Sequence, residues 1–293
     1  MELGLLNVRG FKLPKNRTEA SKMVRKYGLD VLVLTETRVK ESGKEIILGE
    51  KGNSGLTFYS SGLDGDARRG GGVGFLVRTS NVKVIEFKSL HDRLATLIIQ
   101  RDSVSFGIVA CYCQTEDDKN DTAKNLLYTK IKEAYRLLAR SCSIVLIAED
   151  FNCGLGADLC NSGPLGPEIA SDRQRSSENA HRVVELASDL SLYVLNTWYK
   201  GPTAKRTTWT NKINNTSCMK DLILGTESVR FHTPVVQTVY TRQSDHKLVL
   251  CPIKPALLVQ LRTSSEAKGR RKSKSRSKSR SKSRSKSRSK SGK

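Results

Sequence analysis

The sequence predicts an α/β fold. Three observations carry that expectation. Short apolar runs recur at Leu29–Leu34, Ile144–Ile147 and Leu248–Cys251, each of strand length and, apart from Asp30, apolar throughout. Between them, Ala123–Arg140 and Ser177–Leu190 place their apolar residues at helical spacing. Finally, Val82–Phe87, Leu94–Gln100 and Val104–Tyr112 follow one another across polar turns, so part of the sheet is an antiparallel meander.

Leu3–Val8 is the first short strand, with Asn7 where it gives way to Arg9–Gly10. Thr18 is read as the cap of a helix through Tyr27, with Ala20, Met23 and Val24 on its inner face and Gly28 stopping it. The Leu29–Leu34 strand runs into Glu36 within TETR. Ser54–Ser61 reads as a strand, and Gly62–Gly74 as a glycine-dense loop carrying Arg68 and Arg69. The GGGVG run is a tight entry into the strand Val73–Val77; neither a Lys-Ser/Thr pair nor a helix follows it, as a phosphate-binding loop would require. After the meander, Thr115–Thr122 is an acidic loop before the first long helix.

Ser143–Cys153 (SIVLIAEDFNC) is the stretch on which the reading turns. A core strand ends in Glu149, Asp150 and Asn152, and carboxylates are seldom fully buried unpaired. Strand alternation would point Asp150 and Asn152 the same way, with Phe151 opposed. The plainer reading is a strand ending in a turn. Cys153–Ser176 is a long Gly/Pro/Asp loop, and Leu192–Asn196 a strand. The TTWT run at Thr207–Thr210 sets Trp209 either in the core or as a stacking surface for a base or sugar. Asp221 precedes an apolar strand, Val235–Tyr240 is another, and Asp245–His246 opens the last.

The 293 residues hold 51 Lys and Arg against 29 Asp and Glu, a formal charge of +22. Thirteen of those net charges fall in residues 264–293, a repeated SKSR segment with almost nothing apolar to bury. Residues 1–255 are therefore expected to form one domain and 256–293 a disordered Lys/Arg/Ser-rich tail. Such charge calls for a polyanionic partner, DNA first and RNA as an open alternative. Lys272, Lys274 and Arg276 stand for the tail's phosphate contacts, Arg68 and Arg69 for a loop contact or a solvated loop. The tail also suggests nuclear import, and its serines suggest control by a kinase. The sequence shows neither an apolar run of membrane-spanning length nor a signal peptide, and no membrane partner is expected. Seven cysteines, an odd number with several in strands, suit reduced thiols; Cys111 and Cys113 share a strand face but lack the second pair and the histidine of a common zinc site.

Strand ends thus carry Asn7, Glu36, Tyr112, Asp150, Asn152, Asp221, Asp245 and His246. No nucleophile elbow, Walker motif or Cys/His cluster competes with them. Several acids, two amides, a histidine and a tyrosine suit metal-assisted attack of water on a phosphodiester.

LNVRG, LTETR, Tyr112, EDFN, TTW, the Asp221 strand and SDH come in the order of the exonuclease–endonuclease–phosphatase family, which residues 1–255 resemble. Within it the chain is most similar to the endonuclease of RTE-type non-LTR retrotransposons and their craniofacial development protein 2-like relatives, through GGGVGFLV, the GPLG turn at Gly163–Gly166 and QSDHKLV. The resemblance implies a DNase I-like four-layer α/β/β/α sandwich and a DNA endonuclease using Mg²⁺ or Mn²⁺. It implies that Asn7 and Glu36 bind the metal with Asp245 nearby, and that Asp150 activates water while Asn152 holds the transition state. His246, oriented by Asp221, would contact the phosphate, Tyr112 would bond a phosphate oxygen, and Trp209 and Arg9 would lie along the DNA. The chain departs from the family at Glu149, where glycine is usual, at Cys113–Gln114 in place of Ala-Pro, at Leu222 in place of Tyr, at Met219–Lys220 before Asp221, and at Arg9, where apurinic-site enzymes carry an acid. A binding protein of this fold with weakened catalysis, or a phosphatase of the family, are the alternatives.

Overall fold

The structure, a computed structural model, describes residues 1–47, 55–63, 70–153, 163, 177–198, 206–211, 213, 215, 217–233, 235–241 and 244–254. Arg68, Arg69, the GPLG turn apart from Gly163, most of the Cys153–Ser176 loop and the whole tail with Lys272, Lys274 and Arg276 lie outside the described residues.

Two sheets face each other. The first has the order β14 (Gln237–Val239), β15 (Leu248–Pro252), β1 (Glu2–Asn7), β2 (Val31–Thr35), β5 (Val73–Arg78), β4 (Leu56–Ser61) and β3 (Gly43–Ile47). The second has the order β10 (Tyr193–Val194), β13 (Asp221–Gly225), β9 (Ile144–Asp150), β8 (Val104–Tyr112), β7 (Leu94–Arg101) and β6 (Lys83–His91). The parallel pairs are β1–β2 and β8–β9, and the meander β6–β7–β8 is antiparallel as expected. A separate ribbon pairs β11 (Trp209–Thr210) with β12 (Ser217–Cys218).

Helices cover the outer faces. Helix α1 (Pro14–Lys26) packs Ala20 and Val24 on Leu6, Leu32, Leu34 and Leu248 of the first sheet. Helices α2 (Asp121–Ser141) and α3 (Glu178–Asp189) pack Leu127, Ile131, Val183 and Leu186 on Val109, Val145, Ile147 and Leu224 of the second. The short α4 (Glu227–His232) follows β13. The fold is therefore the four-layer α/β/β/α sandwich. No helix among the described residues is long and apolar enough to cross a membrane.

Period-two alternation then sorts every strand into two faces. On β9, Val145 and Ile147 belong to the helix-side core, so Leu146, Ala148 and Asp150 face the opposite sheet. On β1 and β2, Leu6, Leu32 and Leu34 face α1, which turns Leu3, Leu5, Asn7, Val31, Val33 and Thr35 inward between the sheets.

Several boundaries differ from expectation. Helix α1 starts four residues before Thr18, at Pro14, because a proline at the first helical position loses no hydrogen bond and presets φ; its N-cap Leu13 makes no side-chain cap bond. Strands β3 and β12 and helix α4 are additional. The Leu192–Asn196 run is a strand only at Tyr193–Val194, then a 3₁₀ turn over Leu195–Thr197. Asp221 is the first residue of β13 rather than a residue ahead of it.

Candidate active site

The inward faces of five strands meet at one rim. Asp221 lies opposite Asp150 in the antiparallel β13–β9 pair, and Tyr112 lies beside Asp150 in the parallel β8–β9 pair. Asn7 closes β1, and Glu36 follows β2. The apolar intersheet core gives out at this level, and buried polar groups replace it.

The groups form one connected set. The Asn7 amide donates to Glu36 Oε2 at 3.1 Å and to Asp150 Oδ2 at 2.8 Å, so two acids meet on one side chain. The Tyr112 hydroxyl reaches Glu36 Oε2 at 3.5 Å. His246 Nδ1 bonds Asp221 Oδ2 at 2.8 Å, and its Nε2 stands 3.9 Å from Asp150 Oδ2. Asp150 and Asp221 have no solvent exposure and His246 only 6%.

These surroundings set the protonation states. Burial disfavours an imidazolium, but the Asp221 and Asp150 carboxylates outweigh it and raise His246 to about 9. Burial and the Asp221 charge push Asp150 above the ordinary carboxylate value, against the pull of His246 and Asn7. Burial, with Glu36 and Asp150 behind it, raises Tyr112 and keeps its phenol neutral.

Asn152 does not follow the expected alternation. The strand stops at Asp150, and Asn152 takes a left-handed backbone at φ 48°. Its backbone N–H donates to Asp150 Oδ1 at 3.0 Å, and its side-chain amide donates to Cys113 O at 2.8 Å. The stretch is thus both a turn and a carrier of the acid. Left-handed, non-glycine backbone recurs around the same rim at Arg9, Glu36 and Arg38. Such residues cost on the order of 1–3 kcal/mol each and persist where neighbours fix them. Here Thr37 N donates to Gly72 O and Arg38 N to Gly71 O, both at 2.9 Å. A side chain at Gly72 would come within 2.4 Å of Thr37 Oγ1, which explains the glycine run at this strand entry.

Asp245 lies one step outward. Its Oδ2 accepts from Trp209 Nε1 and from Arg9 Nη1, each at 3.0 Å. Burial opposes its charge, but Trp209, His246 and Arg9 together hold its pKa below the ordinary value. Trp209 is half-buried, bridges to His246 through the backbone, and carries the Lys220 ammonium 3.9 Å above its ring. It therefore borders the rim as a partly open surface.

Sequence reasoning missed five supporting residues. Arg38 is ion-paired to Glu36. The Arg93 guanidinium lies 5.0 Å from the Tyr112 ring centre and donates to Gly70 O at 3.2 Å. Asn196 donates to Asp221 O at 3.1 Å and accepts from Ile223 N at 2.8 Å. Thr208 Oγ1 accepts from Lys220 N and Asp221 N at 2.8 and 3.0 Å. Lys220 completes the group. The only prior signal was for Arg38 and Lys220, basic residues adjoining motif acids; Arg93, Asn196 and Thr208 act through space and leave no local pattern.

The donor set fits a hard divalent cation. Acidic oxygens and an amide converge, and Asp221 Oδ1 and Asp245 Oδ1 are buried without a partner among the described residues. Asp150, Asp221 and His246 alone bring three potential ligand atoms within 4.8 Å of one another.

Comparison with known proteins gives the family and the fold. The family model described as "Endonuclease/Exonuclease/phosphatase family" matches residues 4–246. Among solved structures, the chain is similar to the endonuclease domain of TRAS1, a telomere-specific non-LTR retrotransposon, at TM-score 0.59 and 14% identity over 86% of this chain and 97% of that one. It is similar to the catalytic domain of Xenopus laevis APE2 at TM-score 0.63 and 17% identity, covering 87% and 92%. It is also similar to NExo from Neisseria, described as a 3' phosphatase bound to product DNA hairpin, at TM-score 0.59 and 15% identity, covering 87% and 99%. A search of curated protein sequences found no match.

Proposed function

Since the chain belongs to the endonuclease/exonuclease/phosphatase family, we propose that it is a divalent-metal-dependent endonuclease that nicks duplex DNA. The observation that carries this reading is the convergence of Asn7, Glu36, Asp150, Asp221 and His246 on one intersheet rim. Likeness to the TRAS1 domain supports retrotransposon-type nicking. Glu36 and Asn7 would hold the cation, Mg²⁺ or Mn²⁺, with Asp245 behind them. When bound, such an ion polarises a phosphoryl oxygen and offsets charge on the leaving oxygen.

The rest falls to the chain's own side chains. Asp150, with its raised pKa, takes the proton of the attacking water, since a base works best with a pKa nearer the operating pH. His246, held as an imidazolium by Asp221, donates to a non-bridging phosphate oxygen and stabilises charge that grows there. Neutral Tyr112 donates to a second oxygen, and Asn152 steadies Asp150 through its backbone N–H. Trp209 and the cations Arg9, Arg38 and Lys220 supply stacking and phosphate contacts along the DNA. The proposed setting is the nucleus, with the tail as a second phosphate-binding element open to serine phosphorylation.

Full-length protein is to be incubated with supercoiled plasmid in Mg²⁺, in Mn²⁺ and in EDTA. The expected result is open-circular DNA with either metal and none in EDTA. Failure of the wild type to nick at any metal concentration, equal to Asp150→Ala, removes the proposal. Release of inorganic phosphate from 3'-phosphorylated DNA without nicking would instead favour a phosphatase. The alternative of a binder with weakened catalysis draws on Glu149 and the basic tail; Glu149 alternates with Asp150 on β9 and lies on the helix side, away from the cleft.

A further inference from the structure

Two departures from the family pattern, Glu149 and Cys113, meet in space. Both sit on the helix-side face of the strands that carry Asp150 and Tyr112 on the other face. Cys111 lies beside Glu149 in the parallel β8–β9 register, and the Cys113 thiol hydrogen-bonds Glu149 Oε1. Cys111, Cys113 and Glu149 each bring a ligand atom within 4.8 Å of the other two. Their exposures are 0%, 1% and 0%. The surrounding residues are those of the α2/α3 core, including Phe151, Leu222 and the neighbouring thiol of Cys153.

A carboxylate in such a place demands compensation. Buried acids are paired with a cation, protonated, or bound to a metal. Among the described residues no cationic side chain pairs with Glu149, and its Oε2 is buried without a hydrogen-bond partner. Two sulfurs and one oxygen around a point form a donor set suited to a borderline-soft ion.

We propose that Cys111, Cys113 and Glu149 bind one Zn²⁺ in the core, a structural site separate from the hydrolytic one. Tetrahedral zinc holds thiolate sulfurs at about 2.3 Å and carboxylate oxygens at about 2.0 Å, which puts ligand atoms roughly 3.5 Å apart. The three ligand atoms already lie within 4.8 Å of one another, and the Cys113–Glu149 pair, closer than that spacing, would open to admit the ion. Cys153, 1% exposed in the same core, is the candidate for the fourth position. Binding displaces to solvent the thiol protons of Cys111 and Cys113 and the carboxylic proton of Glu149, and a third thiol proton when Cys153 takes the fourth position. Because the site is closed, the ion enters as the chain folds and leaves only when it opens. The site would also steady the hydrolytic platform: Cys113 N donates to Asp150 O at 3.0 Å, and Cys113 O accepts from Asn152.

The test is full-length protein produced in zinc-supplemented medium, passed through EDTA without denaturation, and analysed for metal by atomic spectrometry. About one zinc per chain is expected to survive EDTA, since a closed site exchanges slowly. The same protein refolded with cobalt(II) alone should show a thiolate-to-cobalt charge-transfer band. Glu149→Gln and Cys113→Ser should each cut bound metal by more than about tenfold. Glu36→Gln, which alters the hydrolytic site, should keep it. Absence of EDTA-resistant zinc, absence of the cobalt–thiolate band, or zinc lost from Glu36→Gln but kept in Glu149→Gln would each overturn the site. If the core variants fail to fold, the wild-type zinc content and cobalt spectrum decide alone. Glu149→Gln also separates the alternatives thermally. A protonated, metal-free Glu149 tolerates an isosteric amide with little change in Tm, whereas loss of zinc lowers Tm by several degrees.

Discussion

At Asp150 three demands meet in a single carboxylate. One oxygen is held by the Asn152 backbone and the other by the Asn7 amide, leaving the His246 imidazolium 3.9 Å away. Asp150→Asn keeps the volume and removes the base, so nicking should fall by about 10²–10⁴-fold with the fold intact, read by plasmid assay and circular dichroism. His246 gives a second residue-scale prediction. Its pKa in the folded chain is raised from 6.5 to about 9. A group whose folded pKa is raised stabilises the fold fully below its unfolded value and loses that contribution as pH rises through the folded value. In EDTA, thermal stability should therefore decline between pH 6.5 and about 9, by at most roughly 3.5 kcal/mol at about 1.4 kcal/mol per pKa unit. That decline should vanish in His246→Gln, and Asp221→Asn should lower the His246 pKa measured by NMR.

At the scale of elements, the rim depends on how β13 is fastened beside β9. On the edge away from β9, strand β13 is flanked by only the two residues of β10, and Asn196 replaces the missing ladder by bonding Asp221 O and Ile223 N. Asn196→Ala should leave those buried groups unpaired and cost about 1–3 kcal/mol, measured by denaturant unfolding. Nicking should fall with it, because Asp221 loses its anchor. The long elements were legible in the sequence: apolar runs marked β2, β9 and β15, and helical period marked α2 and α3. The missed elements are those with weak patterns. Strand β3 is largely exposed, with lysine and glutamate among its five residues, so neither alternation nor apolarity shows it. Helix α4 has six residues, too few for a period, although Thr226 caps it through the Val229 N–H. At the site, residues at strand ends could be read from sequence because a strand delivers them there. Arg93, Asn196 and Thr208 could not, because their contacts join segments distant along the chain.

At the scale of the whole molecule, charge dominates. Thirteen of the twenty-two net positive charges belong to residues 264–293, and the remainder leaves residues 1–263 basic as well. Duplex DNA binding should weaken steeply with salt, as phosphate neutralisation releases counterions. Deleting residues 256–293 should flatten the slope of log K against log salt without abolishing nicking at low salt, measured by fluorescence anisotropy and plasmid assay. Loss of nicking at low salt would assign the tail a catalytic part. Phosphomimetic Ser→Glu changes along the repeat should mimic the deletion in part.

Strands β8 and β9 carry hydrolytic groups on one face and the thiol–carboxyl cluster on the other, with only one backbone step between Glu149 and Asp150. A frame error here is therefore worse than a misspelling. Removing a single residue such as Ala148 would rotate everything beyond it by half a turn, sending Asp150 toward α2 and Glu149 toward the intersheet cleft. Substitutions along this ribbon should be graded in effect, while one-residue insertions or deletions should be all-or-none.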